Sequence, residues 1–182
     1  MMAEESKFVA LALEVAAGTL RPPFLIKRGG SLLYEITVDN MLRLTVDPKR
    51  PMRGDSAFQT DLCIFEEKSS EVLLPRVVFE FKTKITTHDI LTYSAKARKH
   101  KQVYPYLRYG LVASDMASVP RRFFVHNESI DFCAAISSRQ SESLPDFFES
   151  LIKAEVAAST RLEGVSFGKD RPSLYRSEVL FS

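Results

Sequence analysis

Residues 59–84, QTDLCIFEEKSSEVLLPRVVFEFKTK, hold two apolar runs of strand length separated by the polar, turn-like EEKSSE, a spacing that predicts an antiparallel pair. Strand side chains alternate between faces, so Val77, Phe79 and Phe81 point one way and Val78, Glu80 and Lys82 the other. In the first run, predicted over 59–65, Asp61 shares a face with Cys63 and Phe65, while Leu62 and Ile64 turn away. Antiparallel pairing then brings Asp61 beside Glu80. Burying an unpaired ion costs on the order of several kcal/mol, so an acid and a base in so apolar a run need a reason. The plainer one is a same-face ion pair on a half-exposed strand. The more specific one is that two adjacent carboxylates repel unless a cation lies between them. Mg²⁺ takes one or two carboxylates together with waters and phosphate oxygens. Lys82 would stand beside such an ion, placed to hold or help deprotonate an attacking water.

Asp61 and Glu80-Phe81-Lys82, followed by Thr83-Lys84, resemble the motif of the PD-(D/E)xK phosphodiesterase superfamily, the group to which many type II restriction endonucleases belong. Thr60 stands where the motif's Pro is written. The resemblance covers roughly residues 55–115 and implies an acid-bearing strand, an E-x-K strand, a helix at 87–103 and a strand at 108–114. It also implies that Asp61, Glu80 and the Phe81 carbonyl bind Mg²⁺, with Mn²⁺ as a substitute, and that Lys82 is catalytic. An acid two residues before a Lys occurs at Glu5, Asp47 and Glu66 as well. Only Glu80 lies in a continuous β-prone run that follows another acid-bearing strand and precedes a basic helix.

A chain of 182 residues suffices for one domain with a sizeable core. The expected fold is therefore α/β, a single restriction-endonuclease-like domain over 1–182 with a central mixed sheet flanked by helices. The net charge is only +2, so a polyanion must be met by local clusters of Lys and Arg. No apolar run approaches the ~20 residues of a membrane span, and the acidic MMAEESK start is unlike a secretory signal. Cys63 and Cys133 lack paired spacing and read as reduced, buried thiols. A cytoplasmic protein is expected.

Residues 3–18 predict a helix with Phe8, Leu11, Ala12 and Val15 on its apolar face; Glu14 is the candidate accessory acid, since some members of the resembled family direct a Glu from such a helix toward the metal. Strands are predicted at 31–38 and 41–46, joined at Asp39-Asn40. The loop DPKRPMRGDS brings Lys49, Arg50 and Arg53 just ahead of the acid-bearing strand, where a substrate backbone could pass. Asp55 in the same loop rivals Asp61 as first metal acid. The helix at 87–103 carries Lys96, Lys99 and Lys101, which with Lys84 form a candidate DNA-backbone contact; dipole compensation at a helix end is the simpler use of the same charges. Tyr93, Tyr104, Tyr106 and Tyr109 could stack on bases or simply pack, and Gln102 with Tyr106 fits a Q-x-x-x-Y element of exonuclease-like branches. Further strands are expected at 123–125 and 130–136 and a helix at 144–160, and the apolar tail from Gly164 onward is expected to dock on this domain or on a partner subunit. The three histidines lack metal-ligand spacing.

The expected activity is Mg²⁺-dependent, restriction-type cleavage of DNA by a homodimer, because cutting both strands of a duplex requires two sites. A nuclease-like fold serving only as a DNA-binding or assembly module is the alternative from another class. A nuclease of branched DNA, transposon ends or RNA is the third.

Overall fold

The structure is a computed structural model describing residues 2–54, 56–137 and 143–180. The elements run α1 (Met2–Thr19), β1 (Phe24–Arg28), β2 (Ser31–Leu33), β3 (Ala57–Gln59), β4 (Leu62–Ser69), β5 (Val72–Lys82), α2 (Thr87–Val103), β6 (Arg108–Ala113), α3 (Arg121–His126), β7 (Phe132–Ala135) and α4 (Leu144–Phe167). Strands β1, β4, β5, β6 and β7 form one sheet in that spatial order, while β2 and β3 pair as a small separate ladder. The first two junctions of the sheet are antiparallel and the last two parallel. The mixed, helix-flanked α/β sheet is therefore the expected one.

Alternation along β4 and β5 divides the interior in two. Leu62, Ile64, Val77, Phe79 and Phe81 face α1 and α4, packing on Val9, Ala12, Phe148 and Ile152. Cys63, Phe65, Val78, Tyr109 and Leu111 face the other way, under Ile90, Tyr93 and Ala97 of α2 and Phe123 of α3. The α2 start is fixed by a reciprocal cap: Thr86 Oγ1 accepts from the Asp89 amide at 3.2 Å, and Asp89 Oδ2 accepts from the Thr86 amide at 2.8 Å. Both cysteines are free thiols, Cys63 buried and Cys133 partly so.

A bulge interrupts the β4–β5 ladder. Ile64 pairs with Val77 but Phe65 pairs with Pro75, leaving Arg76 as the extra residue. The Arg76 side chain is fully buried, bonded to Glu66 and Glu163 and lying 5.3 Å from the Tyr106 ring centroid, so it ties the last turns of α4 to the sheet.

Three sequence expectations are corrected. The strand expected over 31–38 stops at Leu33 and pairs with β3, and 41–46 forms no ladder beyond a single Val38–Leu44 bridge. The reason is local: Asp39 Oδ1 accepts from the Met41 and Arg43 amides, Leu42 adopts φ 59°, and the flanking apolar side chains are exposed. With no buried face, a two-stranded ribbon has little to hold it. Residues 123–125 belong to helix α3, where Pro120 precedes the first turn and Phe123 is the buried residue. The tail beyond α4 has neither helix nor strand through residue 180, and Leu174, Tyr175 and Leu180 are exposed, which corrects the first of its two expected docking places, this domain, and does not bear on the second, a partner subunit. Strand β1, which follows the Pro22–Pro23 pair, is not among the strands that the sequence predicts.

Candidate active site

The antiparallel register pairs Leu62 with Phe79, so one step outward sets Asp61 opposite Glu80, on the face that α2 covers. The side chains meet as alternation requires. Asp61 Oδ2 accepts a hydrogen bond from the Phe81 amide at 2.8 Å. A strand residue's N–H and C=O point to the same side, so the Phe81 carbonyl is directed toward Asp61 as well. Beyond this point β5 continues only against β6, where the Ser114 amide donates to the Lys82 carbonyl at 2.9 Å. The carboxylates thus gather where β4 has ended and β5 has not.

Glu80 is 3% exposed, and its Oε1 accepts from the Tyr109 hydroxyl at 2.7 Å. Burial, and next the charge of Asp61, push the Glu80 pKa up to about 7; the Tyr109 hydrogen bond and the charge of Lys96 oppose them. Tyr109 is fully buried on β6, stacked on His100 with ring centroids 5.8 Å apart. His100 is held in turn by its Nδ1, which donates to the Leu33 carbonyl at 2.8 Å; burial, as the leading cause, lowers its pKa to about 4 and keeps it neutral. A chain of packed groups therefore fixes the carboxylate from behind.

Lys82 shares the face of Glu80. Its Nζ lies 5.3 Å from the Tyr93 ring centroid. Lys96, one turn further along α2, sets its Nζ 4.9 Å from the same centroid and 5.5 Å from that of Phe58. Tyr93 thus spaces two ammonium groups beside two carboxylates.

Among the described residues, no group of three or more His, Cys, Asp or Glu converges on a point that could hold a metal. The donor set here is two carboxylates and a main-chain carbonyl, which suits a hard cation that keeps several waters. The upward pull of Asp61 on Glu80 is the cost of bringing the two carboxylates together, and a divalent cation between them would remove it. The residues present fit Mg²⁺ or Mn²⁺.

Other residues singled out in the sequence scatter. Lys84 lies just past β5 and pairs with Asp115 at 3.1 Å, both exposed. Lys99 is exposed on α2. Lys101 is tied into the frame: its Nζ bonds Asp131 at 2.6 Å and the Ser129 carbonyl at 2.7 Å, next to the Arg108 pairs with Asp131 and Glu155. Lys49 pairs with Glu71 at 3.3 Å, at the β4–β5 turn, and Arg50 lines a cleft there with Lys27, Phe65 and Tyr104. That is the end of the hairpin opposite the carboxylates, so these two bases do not flank the site. Arg53 is exposed in the same loop, and Asp55 lies outside the described residues. Glu14 is exposed on α1, which packs against the opposite face of the sheet, and it does not join the site. Tyr93, Tyr106 and Tyr109 are buried packing residues, which removes them as stacking surfaces; Tyr106 meets Arg76 and Phe167.

Sequence reasoning missed the bond from Tyr109 to Glu80 and the aromatic pair Tyr34–Phe58. Strand parity puts Tyr109 on one face with Leu111, but only the β5–β6 register, with Val78 beside Tyr109, sets it against Glu80.

No protein-family model matches this chain, and comparison with curated proteins gives no sequence match.

Proposed function

We propose that the chain is a Mg²⁺-dependent DNA endonuclease of restriction type, with Mn²⁺ able to substitute. The observation that carries this reading is the meeting of Asp61, Glu80 and Lys82 on one face where β4 ends and β5 continues. The order of elements supports it: the antiparallel β4–β5 pair, then helix α2 and strand β6 parallel to β5, is consistent with the resemblance read in the sequence.

Asp61, Glu80 and the Phe81 carbonyl are the residues that would hold the metal. When bound, such an ion polarises the scissile phosphate and lowers the pKa of a bound water. Lys82 orients the attacking water and stabilises the negative charge that grows on the phosphoryl oxygens. Tyr109 keeps one Glu80 oxygen in position, and Lys96 meets an adjacent phosphate. A homodimer would supply the second site that a duplex cut needs.

The test is cleavage of supercoiled plasmid in Mg²⁺. Glu80→Ala and Lys82→Ala are expected to lower the rate at least about 100-fold, within the range of such catalytic groups, while circular dichroism and DNA affinity stay close to wild type. Cleavage by both variants at the wild-type rate refutes the proposal.

A further inference from the structure

Phe58 on β3 and Tyr34 just after β2 stack with ring centroids 4.3 Å apart and an interplanar angle of 25°. Both rings are partly exposed. Phe58 is anchored from below by the edge of His100, with centroids 5.8 Å apart and planes at 85°. Lys96 joins the pair to the site, since its Nζ lies 5.5 Å from the Phe58 centroid and 4.9 Å from that of Tyr93, the ring that Lys82 also approaches. The ladder that carries the rings is itself held near the site, because the Thr60 amide donates to the Gly30 carbonyl at 2.9 Å and Asp61 follows directly.

Two stacked, half-open rings next to an ammonium group have the chemistry of a surface for flat, uncharged heterocycles attached to a phosphate chain. A base locked in a duplex offers its faces only to its neighbours in the stack, whereas an unpaired base offers them freely. Base–aromatic stacking is tolerant of sequence and needs no groove.

We propose that Tyr34 and Phe58 form a stacking step for an unpaired nucleobase next to the phosphate that the carboxylate site receives, so that the preferred substrate is DNA with unpaired nucleotides, such as a fork, a flap or a single strand. The inference rests on the metal-dependent nuclease reading and departs from its restriction-type part, with DNA that carries unpaired nucleotides in place of a continuous duplex. Lys96 takes the phosphate between the stacked base and the metal site. The buried tyrosines of α2 and β6 have no part in it.

The test uses the full chain and fluorescein-labelled oligonucleotides of equal length, single-stranded, forked and blunt duplex, with Ca²⁺ in place of Mg²⁺ and binding read by anisotropy. The wild-type protein is expected to bind the single strand and the fork about tenfold more tightly than the blunt duplex, within what one stacked base provides. Tyr34→Leu and Phe58→Leu are expected to bring that ratio close to one. A second readout needs no variant: 2-aminopurine at the unpaired position next to the fork is expected to lose fluorescence on binding, and the same base inside the duplex arm is not. A wild-type ratio near one, a ratio kept by both variants, or equal 2-aminopurine responses at the two positions overturns the inference. Cleavage of plasmid and of the same oligonucleotides in Mg²⁺ is scored separately. Cleavage without the binding preference ends this inference alone, and preference without cleavage of any of these DNAs ends the nuclease reading and leaves Tyr34 and Phe58 only a binding step for unpaired DNA.

Discussion

Replacing Glu80 by glutamine is expected to stabilise the metal-free protein, and to do so only when the pH is high enough to ionise the native carboxylate. Glu80 is almost fully buried, and its pKa is raised from 4.5 to about 7, first by desolvation and then by Asp61. The native state therefore binds the Glu80 proton more tightly than the unfolded chain does. That contribution to stability is complete below about pH 4.5 and is lost as the pH rises through 7, a difference of about 3 kcal/mol across the window. The substituted amide does not titrate and can still accept from Tyr109. The Glu80→Gln variant and the wild type should thus be nearly equal near pH 4.5 and separate to a ceiling of about 3 kcal/mol by about pH 8. For a chain of this size that is about 6–12 °C in Tm. Urea and thermal melts in EDTA, stepped across that pH window, measure the gap. Mg²⁺ should then close it from the wild-type side, raising the wild-type Tm with little effect on Glu80→Gln, since a bound cation stabilises only the state that binds it. A gap that is flat with pH, or a variant less stable than wild type at the alkaline end, refutes the argument that Glu80 is a strained, ionisable acid held next to Asp61.

Three other outcomes follow from the same geometry. Tyr109→Phe removes a hydrogen bond that favours the ionised carboxylate, so the acid limb of a kcat/KM profile taken on both sides of neutrality should move to higher pH; an unmoved limb contradicts the positioning role given to the phenol. Lys101→Ala should lower stability by only about 0.5–1.5 kcal/mol, because Arg108 and the Tyr109 amide keep Asp131 paired, yet weaken DNA binding less than Lys96→Ala, as fluorescence anisotropy at two salt concentrations would reveal. Arg76→Ala opens a buried space and leaves Glu66 and Glu163 with Lys68 as partner, an expected loss of about 2–3 kcal/mol in a urea melt, and a loss below about 1 kcal/mol would mean that α4 is held by its apolar face alone.

How far the chain can be read depends on the range over which each signal acts. The faces of β4 and β5 follow from a period of two, and Asp61, Glu80 and Lys82 share a face for that reason alone. Helix α2 is legible at both ends because Thr86 and Asp89 form a local cap and Pro105 lies just beyond. The residues that fail to read are those decided by distant partners. Lys101 looks like a DNA contact in the sequence and is taken by Asp131, far along the chain. Lys49 precedes the acid-bearing strand in the chain but bends back to Glu71 at the far end of the hairpin. Strand β1 follows two prolines that suggest an irregular segment, and only its ladder with β4 makes it a strand. The stretch 31–46 alternates as a hairpin would, but Asp39 captures two amides and its apolar side chains find no core.

The bulge at Arg76 separates the reactive end of the β4–β5 ribbon from its turn. Residues 77–79 hold their register with Leu62–Ile64 on the far side of the bulge, and a second irregularity between Glu67 and Ser69 lies nearer the turn, so a shift in the turn meets two breaks in the ladder before it reaches them. The turn is therefore a port for a reporter: a fluorophore or a short peptide tag spliced in at Ser70 would disturb the surface pair between Lys49 and Glu71 and is expected to leave the two acids and the lysine in place.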